Sequence, residues 1–477
     1  MVKPMADPGR QIDDPAGLGA CDAIEALRGG ELTSVALVTA LLARRDERAD
    51  LGAFYYLDPD AALRAGEQAD AARARGDDRA LLGLPLAVKD NINTAGIPTT
   101  AGTPLLREHR PKRNAPVLQR LLDAGAFVLG KTSMHELAFG ITGNNTEWGP
   151  ARNPHDPRCI PGGSSGGTAI AVSTGMAPAG LGSDTGGSVR IPAALCGVTG
   201  LRPSTGRYPA AGVVPISSTR DTVGPIARSV ADLALIDEVL TGSAPLGPPP
   251  ALQRLRLGLP DGFFLDDLDA EVAELMASAF GRLREAGVEL VDVKVENMAD
   301  LYAAAGFPIT LYEAVVTLEA YFREEGLPYR FVNAAESAAS PDVKKILCAL
   351  AGDEAIDPDT YQAAIMRHRP ALQTLCGSIF AGAGISGVVF PMTPLPAVLI
   401  GKDTIEINGK VLPTFETFIH NSGPGSVAGL PGLTLPCGRT KTGLPVGFAI
   451  DGPAFSDRHL LAVGRALESV VAPPGGA

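Results

Sequence analysis

The 477-residue chain is 45% hydrophobic and one-fifth charged, with 56 Gly and 40 Pro, a composition that supports a substantial core joined by many tight turns. Its net charge of −12 argues against a broad face that neutralises phosphates, so nucleic acid is not an expected partner. Six scattered cysteines with no C-x-x-C and no histidine at zinc spacing read as reduced apolar residues of a cytoplasmic protein and suggest no metal site.

Residues 1–15 carry Pro, Asp and Arg where a signal peptide needs an apolar run and read as a loose tail. Residues 22–28, 34–48 and 59–75 read as helices, the second with Val35, Leu37, Val38, Leu41 and Leu42 on one stripe. Residues 83–92 (GLPLAVKDNI) form an apolar strand that delivers Lys89 among hydrophobic neighbours. A helix over 114–124, with Asn114 as N-cap and Gly125 as stop, leads into a buried strand at 126–129. Ser229 opens another helix, with Asp232 in a capping-box position. Residues 242–250 (GSAPLGPPP) read as an internal loop, and the helix-stop-strand pattern recurs over 269–293. Residues 300–385 read as a helical insertion that shapes a substrate site. The uncharged run 380–400 is long enough to span a membrane, but Pro391, Pro394 and Pro396 interrupt it, so a buried strand at 387–392 is expected and no membrane partner. Strands at 433–436 and 446–451 and a helix at 458–470 close the chain. Helices alternating with short apolar strands predict an α/β fold whose sheet is covered by helices on both faces.

Two motifs invite a functional reading and fail a structural requirement. Residues 125–132 (GAFVLGKT) match the P-loop pattern, yet their variable positions are the strand itself and the clear helix precedes it, the reverse of a phosphate cradle. Ser164 in Gly162–Gly166 satisfies the G-x-S-x-G elbow, but that motif needs a later histidine base. The candidates His368, His420 and His459 sit in no compelling setting, and the six histidines read mostly as structural.

The segment Cys159–Ser183 contains no charged side chain and six hydroxyls, followed by Thr185–Ser188 (TGGS) and Arg190. Buried hydroxyls beside Gly-rich backbone suggest a nucleophile with an oxyanion site. Ser188, after a Gly-Gly pair and before a short helix, is the nucleophile candidate. Without a histidine the base would be a neutral lysine, since burial lowers an ammonium pKa. Lys89 is the first candidate and Lys131 the second. The ordinary role for either is a structural ion pair, with Asp90 or Asp184 as the partner for Lys89.

Lys89 in GLPLAVKDNI, Ser164 in PGGSSGG and Ser188 in GSDTGGSVRIPAALCG, with the two serines 24 positions apart, resemble the amidase signature family over most of the chain. The resemblance implies a single large α/β domain with a mixed central sheet, spanning 16–475. It implies that Ser188 attacks an amide carbonyl and that Ser164, the serine of a cis peptide bond, relays its proton to neutral Lys89. Thr185, Gly186, Gly187 and Ser188 would form the oxyanion hole, with Ser165, Asp184 and Arg190 supporting. Water would then hydrolyse the acyl-enzyme, with no metal or cofactor. Residues 135–145, 206–226 and 421–438 look most similar to arylacetamide-type hydrolases within the family, which implies a small-molecule amide substrate, with anilides, carbamates and esters also open. Met134, Phe139 and Ile419 are candidate pocket residues. The alternative within the family is the glutaminase component of a tRNA-dependent amidotransferase; a homodimer is left open.

Overall fold

The computed structural model describes residues 12–472; most of the expected tail, and residues 473–475 of the expected domain, lie outside them. Residues 12–15 are not loose: Ile12 packs on the core and Asp14 pairs with Arg44 at 3.1 Å.

An eleven-stranded sheet organises the described residues. Its spatial order is Phe54–Tyr56, Phe127–Thr132, Pro85–Lys89, Ala179–Asp184, Thr222–Ala227, Thr199–Arg202, Gly432–Arg439, Pro445–Asp451, Gly387–Pro391, Arg256–Pro260 and Glu289–Val293. Pro85–Lys89 runs parallel to both neighbours, whereas Ala179–Asp184 is antiparallel to Thr222–Ala227, so the sheet is mixed.

Central strands are buried on both sides, as two neighbouring strands, Gly432–Arg439 and Pro445–Asp451, show. Leu433 packs where Gly464 of the closing helix Asp457–Val471 leaves room, 2.2 Å from the position a Cβ would take. The other face receives helix Arg190–Cys196, whose Ala194 Cβ lies 2.4 Å from where a side chain on Gly447 would begin. Glycine at both contacts permits the close approach. Helices therefore cover both faces, as the alternating pattern predicts.

Most expected elements form. The helix after Ser229 carries both halves of its capping box with Asp232, and Asp58 caps the helix Pro59–Ala74. One cap differs: the helix expected from Asn114 begins at Pro116 after Ala115. The Asn114 side chain instead accepts from Ala95 N (2.7 Å) and donates to Gln119, because Pro116 has no N–H to be capped and fixes the first turn itself. The strand expected at 126–129 runs on to Thr132, held between two partners. That extension places Gly130-Lys131-Thr132 in the sheet, so GAFVLGKT forms no phosphate loop.

Residues 298–383 form helices Met298–Glu324, Phe331–Ser337, Pro341–Ala351, Pro358–Ala363 and Arg369–Ala383. Met298–Glu324, a 27-residue helix with an 18-residue stretch of mean hydropathy 1.4, is long and apolar enough to cross a membrane; here it packs on Arg369–Ala383 and Gly423–Ala428.

Candidate active site

Lys89 is the last residue of the strand Pro85–Lys89 and is fully buried. Its Nζ lies 2.8 Å from Ser164 Oγ, 2.9 Å from Ser183 Oγ and 3.3 Å from the Ser183 carbonyl. No carboxylate among the described residues lies within ion-pair distance. Burial lowers the Lys89 pKa to about 7, with Asp184 and Asp221 opposing the shift from farther away. A large fraction of this amine is therefore neutral near neutral pH.

Lys131, one strand over, differs. Its Nζ is 3.4 Å from Asp90 Oδ1 and donates to Ile92 O and Thr99 Oγ1 at 2.8 Å. The structural ion pair weighed for Lys89 thus belongs to Lys131.

Ser164 is fully buried, and the Gly163–Ser164 peptide bond is cis. Ser165 ties the surrounding segments together. Its Oγ donates to Ser183 O (3.2 Å) and accepts from Ser183 N (3.3 Å), and its N–H donates to Ser188 O at 3.1 Å. The serine loop, the strand Ala179–Asp184 and the Ser188 turn are thereby joined through neutral hydrogen bonds.

Ser188 lies in the turn between that strand and helix Arg190–Cys196, two residues before the helix begins. It is 8% exposed and borders a cavity, whereas Ser164 is sealed from it. Gly187 has φ +129°, and a Cβ there would sit 2.4 Å from Ser422 Oγ, so the turn requires glycine. Asp184 fixes the turn from beneath, accepting from Gly187 N (2.8 Å) and Val189 N (3.1 Å). It also pairs with Arg190 at 3.1 Å and Arg202 at 3.0 Å. Burial alone would raise the Asp184 pKa, but the two guanidiniums outweigh it and hold the carboxyl well below the usual range.

The expected oxyanion set needs one correction. The Gly187 N–H is committed to Asp184 and is not available to substrate. The N–H groups of Thr185, Gly186 and Ser188 have no hydrogen-bond partner among the described residues. Arg220 Nε holds the Thr185 carbonyl at 3.2 Å, which fixes the peptide plane that carries the Gly186 N–H.

The cavity beside Ser188 holds about 330 Å³, near the small end of the usual range for ligand pockets. Phe139 and Ile419 line it. Met134 does not: it is fully buried in a cluster with Ala101, Leu106 and Phe322, because its backbone is anchored inward by Tyr55 Oη on its carbonyl (2.7 Å). Helix Met298–Glu324 contributes Tyr302, Gly306, Phe307, Thr310 and Leu311 to the walls. None of the six histidines borders the cavity; His135, for example, faces Asp342 at 3.1 Å.

Sequence reasoning did not single out Ser183, Arg202, Arg220, Asp221 or Tyr302. Arg202 and the Arg220-Asp221 pair are charges at the ends of strands that are otherwise apolar, a signal that could have marked them.

The chain matches the family Amidase over residues 36–461. It is 41% identical over 449 residues to the indoleacetamide hydrolase of Rhizobium radiobacter, covering 94% of this chain and 96% of that one. It is 39% identical to the mandelamide hydrolase of Pseudomonas putida, covering 93% and 90%. A glutamyl-tRNA(Gln) amidotransferase component from a Roseiflexus species is more distant, at 35% identity over 94% of this chain and 95% of that one. Among solved structures, the peptide amidase of Stenotrophomonas maltophilia superposes with a TM-score of 0.83 at 32% identity, over 96% of this chain and 98% of that one. Fold and relatives together define an amide-hydrolysing enzyme. The chain belongs to the amidase signature family.

Proposed function

We propose that the protein hydrolyses a primary amide of the arylacetamide type to the carboxylic acid and ammonia, through an acyl-enzyme on Ser188. The observation that carries the mechanism is the 2.8 Å contact between Ser164 Oγ and a buried lysine without an acidic partner. Neutral Lys89 accepts a proton from Ser164 as Ser164 takes one from Ser188, and Ser188 Oγ forms a bond to the amide carbonyl carbon. The Gly186 and Ser188 N–H groups stabilise the oxyanion. Collapse of that intermediate breaks the C–N bond, and the proton held by Lys89 returns through Ser164 to the leaving nitrogen. Water then attacks the ester by the same proton route and frees Ser188.

The small apolar cavity favours a substrate with one or two rings over a longer chain. Helix Met298–Glu324 supplies much of its wall, so residues 300–385 act in substrate selection. The test is ammonia release by the purified chain from phenylacetamide, indole-3-acetamide and glutamine. Turnover of the aryl amides and not of glutamine supports this reading, and release from glutamine alone overturns it.

A further inference from the structure

A neutral lysine offers two N–H donors and one lone pair, at the end of a flexible four-carbon stem. For Ser164 to pass on its proton the lone pair must meet the Ser164 hydroxyl, so both N–H groups need acceptors elsewhere. Ser183 supplies them, with its hydroxyl at 2.9 Å and its carbonyl at 3.3 Å. The carbonyl is fixed by the strand Ala179–Asp184, but the hydroxyl turns about χ1. Ser183 also borders a second cavity of about 270 Å³, lined further by Val213, Asp221, Thr317 and Tyr321 and sharing no lining residue with the one beside Ser188. Packing therefore does not enclose Ser183 on every side, and hydrogen bonds must hold its rotamer.

Asn91, two residues past Lys89 in the turn that follows its strand, is 2% exposed. Its Nδ2 donates to Ser183 Oγ at 3.0 Å and to the Val214 carbonyl at 3.4 Å. A carbonyl only accepts, which puts the nitrogen end of the amide on this side. Asn91 Oδ1 has no hydrogen-bond partner among the described residues. Burying that oxygen unpaired costs stability, so the amide serves here through its donor end. That end acts on the hydroxyl that touches the base, and it brings no charge.

We infer that Asn91 is a positioning residue of the base: its amide holds the Ser183 hydroxyl against Lys89 Nζ, so that the amine presents its lone pair to Ser164. The inference rests on the amide-hydrolase reading above. The neutrality of the amide matters as much as its donor. Asp90, the adjacent carboxylate, is turned away to Lys131 and Thr100. Residues 162–165 and 210–217, which pack against Lys89 and Asn91, bring no charge. The strand Phe127–Thr132 brings only Lys131, paired with Asp90. The strand Ala179–Asp184 brings Asp184, already bound to Arg190 and Arg202, and this carboxylate and Asp221 are the charges that act on Lys89. A carboxylate at position 91 would stand one hydroxyl away from Nζ and favour the ammonium, which cannot take the proton of Ser164.

The experiment measures kcat and KM for phenylacetamide across pH in Asn91→Ala, Ser183→Ala, their double variant and Asn91→Asp. The expected result is that each single alanine variant loses about five- to tenfold in plateau kcat, the value of one hydrogen bond, with KM unchanged. The double variant should lose no more than the larger single one, because without the hydroxyl Asn91 has nothing to hold. Losses that multiply would show that Asn91 acts only by pinning the Val214 segment, and would overturn the inference. Asn91→Asp should move the midpoint of the rise in rate up by about one pH unit or more and regain rate in alkali. A loss of the same size at every pH would equally overturn it. Asn91→Asp nearly keeps the shape of the side chain, so it decides the matter if the alanine variants do not fold. Absence of turnover by wild type with every amide would instead refute the enzyme reading itself.

Discussion

Lys131 Nζ stands 3.4 Å from Asp90 Oδ1 with both side chains buried, while Lys89, on the adjacent strand, faces two serine hydroxyls and the Ser183 carbonyl, all neutral. The sheet thus separates two buried lysines by partner: burial lowers the pKa of both, but Asp90 opposes the shift at Lys131, which falls to about 8, whereas Lys89 falls further. In the proposed mechanism the working form of Lys89 is the neutral amine, and burial lowers its pKa to about 7. kcat/KM for amide hydrolysis should therefore rise as pH increases through about 7 and level off above it, and Lys89→Ala should lose about 10²–10⁴ of the rate. Ammonia release followed from about pH 5.5 to about pH 9 checks this, and a flat wild-type profile would remove lysine as the base. Lys131→Met should keep the wild-type pH profile while losing about 3–5 kcal/mol of stability, because Asp90 is left buried and unpaired.

Ser188→Ala should abolish turnover and leave the unfolding temperature near that of wild type, since Ser188 Oγ makes no hydrogen bond to any described residue. Intact mass of wild type quenched during turnover should show an acyl adduct that the variant lacks. An adduct on the Ser188→Ala protein would move the nucleophile elsewhere, with Ser164 the first alternative.

Asp184 joins two arginines and two turn N–H groups in one buried network. Asp184→Asn should destabilise by about 3–5 kcal/mol, because Arg202 remains buried without its counter-charge and Arg190 keeps only Asp451, at 3.5 Å. The pH dependence has a definite sign. The folded-state pKa is depressed, so the stabilisation is fully present above the ordinary carboxylate range and is lost only as pH falls towards the depressed folded value. Denaturant titrations of wild type and variant should thus differ most at neutral pH and converge in strong acid; a constant gap down to about pH 2 would contradict the assignment.

Much of this architecture was legible because it rests on local signals. The Ser229–Asp232 box and the glycine stops follow from backbone chemistry within a few residues, and Lys89 stood out as a charge in an apolar strand. What was not legible depends on contacts distant in sequence. Pro116 marks the helix start locally, but nothing near Asn114 shows that its amide serves Ala95, 19 positions back. Gly187 looked like one of four equivalent donors until the fold brought the Asp184 carboxylate onto its N–H. Met134 lies just past the strand Phe127–Thr132, where no alternation pattern predicts its side-chain direction, and it packs into the core. Arg220 is joined to Gly306 across 86 positions, a pairing that no local pattern encodes.

The cavity walls make the last expectation. Leu311 borders the cavity from helix Met298–Glu324. Leu311→Trp should fill part of the roughly 330 Å³ without touching the Lys89–Ser164 contact. Bicyclic substrates need that volume and small ones do not, so kcat/KM for indole-3-acetamide should fall by about 10–200-fold, the scale on which pocket shape discriminates. Propionamide should be hydrolysed at close to the wild-type rate. The readout is the ratio of the two specificity constants, together with the pH profile on propionamide, which should keep its rise through about 7. Equal losses on both amides would mean that the helix holds the catalytic turn rather than the substrate, and the assignment of residues 300–385 to substrate selection would fall.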